Sequence, residues 1–474
     1  MLLEKFRALS DAEVEKIHAA SVEILETIGI KVFSDKILDM LEQGGAVVDK
    51  STKVVKFSEK QIEECIKSVP TEFTLYDRAG KESLVIGDRV PKLAAGHNAV
   101  FMSDYKTNER RPGTVRDVEE FAILCEHLTD IDMVGVPLSP QDVPMRGTLL
   151  HAVRALYENT VKPLFFSTDL YAANHAIMDM MRVTAKNEDP ARYPNAVSQL
   201  SPTSPLYWEG EVVEAVVDTA EQGIPLAILP EPMSGVTSPY SVAGLLTMHN
   251  TEALSGIIIA QIAAKGAPMM YASSWTTYDM KYSNAVIGSA ETTLLRTAGC
   301  QMADYYKIPS HTTAPNTDVN GHDEQMAYEK VLSTLFSVAA GNDIVMNAGM
   351  FSCGLSISLE QLILDDDMNG LVRRLAKGIE VSDATIDLES IKRVGHCGMY
   401  FEEDLTIRNL RSDEFYCYKC ANMGMYDSWF AAGCPSVTDK AHEQVQEYLA
   451  KGGADPLEKS IQDKLDSIVS DYEK

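Results

Sequence analysis

The chain has 474 residues, of which 45% are hydrophobic, and its formal net charge is -27 at pH 7. This length suits one large α/β barrel with additions, or a small number of separate domains. The acidic surplus argues against sequence-independent binding of DNA or RNA, which requires a basic face. We therefore expect partners that are small molecules or other proteins, with no nucleic acid among them.

The first residues show neither an apolar signal segment nor a cleavage site, so we expect no signal peptide. The most apolar run, ALSGIIIAQIAAKGAPMMYA, is interrupted by Lys265 and Gly266, which argues against a membrane span. Eight scattered cysteines suit free thiols in a reducing compartment. These features predict a cytoplasmic protein with no membrane partner.

The first predicted element is a helix that begins after Ser10 and ends near Gly29. Ser10 and Glu13 have the spacing of a capping box, and apolar residues then follow a helical period. We expect residues 1–90 to form a helix and hairpin extension packed on the next domain. Its further elements are a helix at SDKILDMLEQGG, a hairpin at AVVDKSTKVVKF, a helix at SEKQIEECIKSVP and a hairpin at EFTLYDRAGKESLVIG.

Short runs rich in β-forming residues then recur roughly every 30 to 40 residues with helical segments between them, which is the spacing of βα units. Eight such units predict a protein of the α/β class with a TIM barrel over residues 91–355. The rival is a doubly wound open sheet, which the absence of GxGxxG after an early strand disfavours. The runs are AVFMSD, DMVGVPLSP, PLFFSTD, NAVSQLSP, PLAILPEP, APMMYASSW, PSHTTAPNTD and DIVMNAGM.

Residues 356–474 are predicted to form a C-terminal helical segment, since apolar residues there follow a helical period. Its last stretch, DPLEKSIQDKLDSIVSDYEK, predicts an acidic amphipathic helix. Such a helix suits either a solvated cover or a contact between subunits. We expect the protein to form a homo-oligomer.

In a TIM barrel the active site lies at the C-terminal ends of the strands. Those ends predict a pocket with hydroxyl groups, aromatic rings and few charges, in which Glu231 of LPEPMSG is the most distinctive acid. Three roles remain open for Glu231: a general base, a fixed counter-charge for a cation held among aromatic rings, or a carboxylate that caps a loop. Trp275, in the polar loop SSWTTYD, is the best candidate ring for such a cage.

Several catalytic motifs are absent from the sequence. No lysine ends a predicted barrel strand, and neither HExxH nor GxSxG occurs. Cys417 and Cys420 form a CxxC pair, with Cys397 and Cys434 as outlying cysteines, which suggests either a zinc site or ordinary thiols. The alternative function is therefore a TIM-barrel hydrolase or lyase with Glu231 as general base, with zinc at these late cysteines.

The sequence resembles the trimethylamine methyltransferase family of corrinoid-dependent methyltransferases. It is most similar to members that lack pyrrolysine and demethylate quaternary amines such as glycine betaine, proline betaine or carnitine. The resemblance rests on the segments IHAASVEILETIGIKV, ERRPGTVRDVEEF, VKPLFFS, EPMSGVTSP, GAPMMYASSWTTYDM, GSAETTLLRTAGCQMADYYKIP, NTDVNGHDEQMAYEK, NAGMFSCGLSISLEQLILDDDM and VGHCGMYFEEDLTIRNLR.

The resemblance implies a TIM barrel and transfer of a methyl group from nitrogen to the Co(I) of a separate corrinoid protein. It implies a cobalamin cofactor carried by that partner, and we expect no metal on this chain. In methylamine-using relatives pyrrolysine aligns between Asp318 and Gln325, where this chain has only ordinary residues. This difference favours a quaternary amine, whose leaving group is a neutral tertiary amine that needs no general acid.

On this resemblance Glu231 balances the ammonium charge, and Trp275, Tyr278 and Phe351 present ring faces. The pocket's size is set by Met350 and Leu355, together with Ile357. The remaining expected substrate-binding residues, which include the candidate donors for a betaine carboxylate, are His97, Asn98, Phe101, His311, Asn316 and Asn347.

Overall fold

The computed structural model describes residues 6–410 and 412–474. Its centre is a closed barrel of eight parallel strands, in which each strand pairs with its neighbours in chain order and the last pairs with the first. The barrel strands are Lys92–Ala95 (β1), Met133–Gly135 (β2), Leu164–Ser167 (β3), Ala196–Leu200 (β4), Leu226–Ile228 (β5), Met269–Ser273 (β6), Ser310–Thr313 (β7) and Ile344–Ala348 (β8). The predicted TIM barrel is confirmed.

A helix follows each barrel strand and covers its outer face, as the alternation in the sequence predicts. These helices are Val115–His127, Thr148–Asn159, Tyr171–Thr184, Gly210–Glu221, Val242–Ala263, Ala290–Tyr306, Glu324–Ala340 and Leu359–Lys377, with 3₁₀ turns at Met145–Gly147 and Lys186–Glu188. The helix Val242–Ala263 is buried along most of its length, because the N-terminal helices pack on its outer side. No helix in the described ranges is long and apolar enough to cross a membrane.

Inward residues of every barrel strand except β7 form an apolar cluster of their own, which includes Met133, Phe165, Met270 and Met346. Leu75 and Ile86 belong to the same cluster although they lie on the hairpin Phe73–Tyr76/Glu82–Ile86. This hairpin therefore closes the N-terminal end of the barrel. Only the C-terminal end is left for a substrate.

The N-terminal extension contains the helices and hairpins that the sequence predicts. Its helices are Asp11–Thr27, Asp35–Gln43 and Glu59–Ser68, and the first begins with the expected capping box of Ser10 and Glu13. A small sheet joins the extension to the barrel, because Ile30–Val32 pairs with Tyr207–Trp208. The other strands of that sheet are Val47–Asp49 and Val54–Lys56.

One predicted barrel strand is wrong. AVFMSD was expected to open the barrel, but β1 lies earlier, at KLAA, and Phe101–Ser103 joins a separate sheet above the mouth. Between the two, Gly96 adopts φ +76°, and a Cβ there would lie 2.8 Å from the Gly135 carbonyl oxygen. Only glycine fits this close approach of β1 to β2. The separate sheet also contains Arg110–Pro112, Met350–Phe351 and Ser356–Ile357.

The remaining elements lie near the mouth or after the barrel. A hairpin of Thr277–Asp279 and Asn284–Val286 follows β6. After the last barrel helix the chain is helical, as predicted, but the first helices are short. They are Asp383–Ile386, Leu388–Val394, Asp404–Asn409, Tyr426–Ala431, Val437–Lys451 and Lys459–Glu473.

Candidate active site

The floor of the barrel mouth is formed by one phenyl ring between two imidazoles. Phe165, on β3, lies 4.8 Å from the His311 ring and 6.4 Å from the His97 ring, measured between centroids. Loss of hydration in this enclosed place lowers the pKa of His97 to about 4 and that of His311 well below its ordinary value. Both imidazoles are therefore neutral at physiological pH, and the floor carries no positive charge.

A chain of hydrogen bonds fixes the polar groups on the β7–β8 side. The Asn316 Nδ2 donates to the Thr313 carbonyl oxygen at 2.7 Å, and the Asn316 Oδ1 accepts from the Asn347 Nδ2 at 2.6 Å. A backbone carbonyl oxygen can only accept, so the atom of Asn316 beside it is the amide nitrogen. The amide oxygen of Asn316 then faces Asn347, so the atom of Asn347 at that contact is also a nitrogen. The Asn347 oxygen is thereby left as an acceptor beside His97, whose pKa it raises against the larger effect of burial.

The protonation of His97 follows from the next contact. The Gln199 Nε2 lies 3.2 Å from the His97 Nε2. An amide nitrogen only donates, so Nε2 accepts and the proton of this neutral ring lies on Nδ1. The side chains from β1, β4 and β8 thus form one connected polar layer.

Glu231 follows β5 and stands on the barrel wall opposite β1. Its side chain keeps accessible surface, although protein encloses it within the mouth. The loss of hydration raises the pKa of the Glu231 carboxyl, a hydrogen bond with Ser274 opposes this rise, and the nearby charge of Asp169 adds to it. The mouth therefore carries acidic groups after β3 and β5 and uncharged groups at β1, β7 and β8.

Several polar atoms in the mouth have no partner within the described residues. They include both ring nitrogens of His311, the Gln199 Oε1 and the Asn98 Oδ1. Buried polar groups are normally hydrogen-bonded, so unpaired atoms that converge on one cavity indicate a ligand site. Asn98 also has φ +57°, and its backbone N–H donates to the Val136 carbonyl oxygen.

The predicted aromatic cage is wrong in two of its three rings. Trp275 is fully buried outside the barrel, where its ring lies 4.2 Å from that of His249 and fills the space beside Gly299. Phe351 is 1% exposed, and its ring packs on His322. Neither ring offers a free face to a ligand.

Four other predicted positions surround the site and do not line its floor. Tyr278 lines a separate cleft of about 570 Å³ with Tyr240 and Met280. Met350 is buried in the apolar layer outside the barrel, so its expected role in setting the pocket's size is wrong. Phe101 and Leu355 lie at the rim, where the Leu355 carbonyl oxygen accepts from the Phe101 N–H at 3.0 Å.

Asn316 was expected to bind the substrate carboxylate, but both ends of its amide are occupied by Thr313 and Asn347. Its oxygen and one of its two N–H groups are used within the protein, so it supports the site and has only its second N–H left to donate. Phe165 and Gln199 were not predicted, although both lie at inward positions of runs that the sequence identifies. The alternation of side chains along a strand is the signal that indicates them.

The four late cysteines differ in exposure and are not gathered into one group in the described residues. Cys420 is buried, whereas Cys397, Cys417 and Cys434 are exposed. Across residues 6–410 and 412–474, no group of three or more histidine, cysteine or acidic side chains is placed to hold a metal ion. The zinc-dependent alternative therefore loses the ligands on which it depended.

The barrel with its polar, carboxylate-bearing mouth defines a TIM-barrel enzyme. Residues 2–473 match the family model described as trimethylamine methyltransferase (MTTB), so the chain belongs to that family and is a methyltransferase. The trimethylamine methyltransferase MttB of Desulfitobacterium hafniense is 32% identical over 98% of this chain and 93% of its own length.

A second relative and a solved structure are also similar to the chain. The glycine betaine methyltransferase of Desulfitobacterium hafniense strain Y51 is 28% identical over 99% of this chain and 98% of its own length. The crystal structure of the Methanosarcina barkeri monomethylamine methyltransferase (MtmB) is 13% identical, with a TM-score of 0.49, and the match covers 94% of this chain and 96% of that one.

Proposed function

We propose that this methyltransferase takes its methyl group from a quaternary amine of the betaine class and passes it to a corrinoid on a separate protein. The observation that carries the proposal is the asymmetry of the mouth. Glu231 and Asp169 supply negative charge after β5 and β3, whereas neutral His97, neutral His311 and Asn347 stand at β1, β7 and β8. Gln199 reaches His97 from β4, between the two acidic strands. A zwitterion with a cationic and an anionic end suits such a site.

The acidic side suits a quaternary ammonium in particular. Such a cation has no N–H to donate, so it is held by charge and shape. The neutral states of His97 and His311 leave nothing on the floor to repel it. A bound cation would also favour the ionised form of Glu231 and reverse the rise in the pKa of that carboxyl.

The uncharged side suits the carboxylate of a betaine. His311 has no hydrogen-bond partner on either ring nitrogen, and a neutral imidazole has one N–H to donate. The Gln199 amide uses one N–H on His97 and has a second. Gln199 thus joins His311 among the residues expected to bind the carboxylate.

In this reaction the protein needs only to bind and orient the substrate. The electron pair of the broken N–C bond stays on nitrogen, which leaves as a neutral tertiary amine, so no proton must be delivered. The corrinoid supplies the nucleophile that takes the methyl group. None of the side chains named on the floor is a thiol or an amine that could accept the methyl group itself, which fits an external acceptor. Alignment of the methyl group toward the open mouth is then the main contribution of this chain.

The names of the relatives include trimethylamine, a tertiary amine, and glycine betaine, a quaternary one, so they support a methylated amine as substrate without choosing between the two classes. The ordinary residues between Asp318 and Gln325 favour the quaternary amine. Within that stretch the Asp318 carboxylate accepts from the backbone N–H groups of Ile287 and Gly288 at 2.8 and 2.9 Å, which is a structural role.

The test is methyl transfer to cob(I)alamin from a panel of betaines and methylamines, followed by the absorbance of the methylated product. We expect transfer from at least one betaine, its loss or marked reduction in Glu231→Gln, and wild-type rates in Glu221→Gln, a matched change at the end of a barrel helix. Transfer from trimethylamine but from no quaternary amine would overturn the proposed substrate class. No transfer from any amine, to free cobalamin or to a corrinoid protein, would overturn the proposed reaction.

A further inference from the structure

The chain leaves the barrel after Lys377 and makes an excursion, residues 379–415, that we name the arm. Both ends of the arm meet at the last turn of the helix Leu359–Lys377. The Arg374 Nη1 donates to the Gly378 carbonyl oxygen at 2.7 Å, and the Arg374 Nε donates to the Glu414 carbonyl oxygen at 2.9 Å. That helix begins at the C-terminal end of β8, so its last turn lies at the opposite, closed end of the barrel.

The arm carries large apolar side chains among charged ones, and almost none of them is covered. Among its described residues only Ser390 is buried, and none of its short helices packs extensively on another element of the chain. Its most exposed apolar side chains are Ile379, Val381, Met399, Phe401, Leu410 and Phe415, which are 75% to 82% exposed. Monomeric proteins rarely leave such a patch open.

The area is large enough for a stable interface. Eleven large apolar side chains of the arm are between 43% and 82% exposed. At roughly 150 Å² for a large apolar side chain, they offer on the order of 1,000 Å², whereas each partner in a standard interface contributes about 800 Å². An exposed apolar area of this size is sufficient for association between like subunits.

We propose that the arm is covered by the arm of a second copy of this chain, in a two-fold symmetric dimer. A corrinoid protein is a poorer occupant, because it must approach the open mouth and the arm is anchored at the other end of the barrel. The dimer leaves both mouths free. This proposal stands independently of the substrate.

Sedimentation velocity of the full chain tests the proposal. We expect a species of twice the chain mass of 52.1 kDa. The double change Met399→Asp with Phe401→Asp should shift it to the monomer, with a dissociation constant raised by more than about 100-fold. The control, Val47→Asp with Met145→Asp, adds the same charge at exposed apolar residues elsewhere and should remain dimeric.

Cross-linking of the wild-type chain gives a second readout that does not depend on a variant folding. Cys397 is exposed on the arm, so a short bis-maleimide should join two chains through it. A monomeric wild type would overturn the proposal, as would a dimer that neither the arm variant nor the cross-linker affects. Loss of binding to a corrinoid protein in the arm variant of a monomeric chain would assign the arm to that partner instead.

Discussion

The most informative single change is Glu231→Gln, which removes the negative charge of the mouth and keeps the size of the side chain. The amide can still bond to Ser274, the neighbour that Glu231 uses. The variant is therefore expected to fold as the wild type does. Its defect should lie in holding a cation.

The size of that defect follows from the setting of the carboxylate. Glu231 keeps accessible surface, so water weakens its field, but protein encloses it on most sides. An ammonium about 5 Å away gains about 3 kcal/mol at an effective dielectric constant near 20, and about 1.5 kcal/mol near 40. We therefore expect betaine to bind roughly 15- to 150-fold more weakly to the variant.

Isothermal titration with each betaine that serves as a substrate measures this difference directly, without the corrinoid reaction. Glu221→Gln, at the end of a barrel helix, should not change betaine binding. Equal dissociation constants for wild type and Glu231→Gln would refute the counter-charge role. A loss of turnover with unchanged binding would instead indicate a base.

Three further outcomes are expected. Betaine affinity should fall as the pH is lowered through the raised pKa of Glu231, because the cation binds the ionised form, and titrations of Glu231→Gln should show no such dependence. Trp275→Phe should lower the free energy of unfolding by about 1–3 kcal/mol in denaturant and leave betaine binding unchanged, since Trp275 packs on His249 outside the barrel. Burial raises the pKa of Glu252 to about 7, so its contribution to stability is present at low pH and lost as the pH rises through 7. Glu252→Gln should therefore raise the melting temperature at pH 8 relative to wild type and leave it similar at pH 5; an equal effect at both would contradict this reasoning.

The fold was predictable because a βα unit has a strong signal: an apolar run, a helical period and a regular spacing between them. Seven of the predicted runs hold a barrel strand, but the first does not. AVFMSD has the stronger β-forming residues, whereas KLAA has small ones. The preference of a residue for strands largely reflects how its side chain packs. Small side chains suit the tight contact of β1 with β2, and a preference assigned to single residues does not include this contact.

The misplacement of Trp275 has a different cause. Its polar neighbours suggested an open loop, but the two-residue period of β6 continues past the strand's end. Ala272 and Ser274 point inward, so Tyr271 and Trp275 point outward to the helices. Continuing the alternation of inward and outward side chains from the strand predicts the correct side of the barrel for Trp275, whereas the polarity of the loop does not.

The contacts within the site could not be predicted from sequence. The layer that contains His97, Gln199 and Asn347 joins residues that are far apart in the chain. Whether such groups meet depends on the register of three strands and on side-chain rotation. The sequence indicates that polar residues end these strands, and the structure is needed to say which touch.

The hydrogen-bonded layer has a consequence for which sequences can occupy the mouth. The donor-to-acceptor direction of its hydrogen bonds is set by a main-chain atom, the Thr313 carbonyl oxygen. A main-chain carbonyl remains an acceptor whatever side chain the residue carries. An aspartate at position 316 would bring a second acceptor against that carbonyl oxygen, while its other oxygen could still accept from the Asn347 Nδ2. Substrate preference can therefore diverge more readily at His311, whose ring nitrogens have no hydrogen-bond partner among the described residues, than at position 316, where the backbone requires an amide.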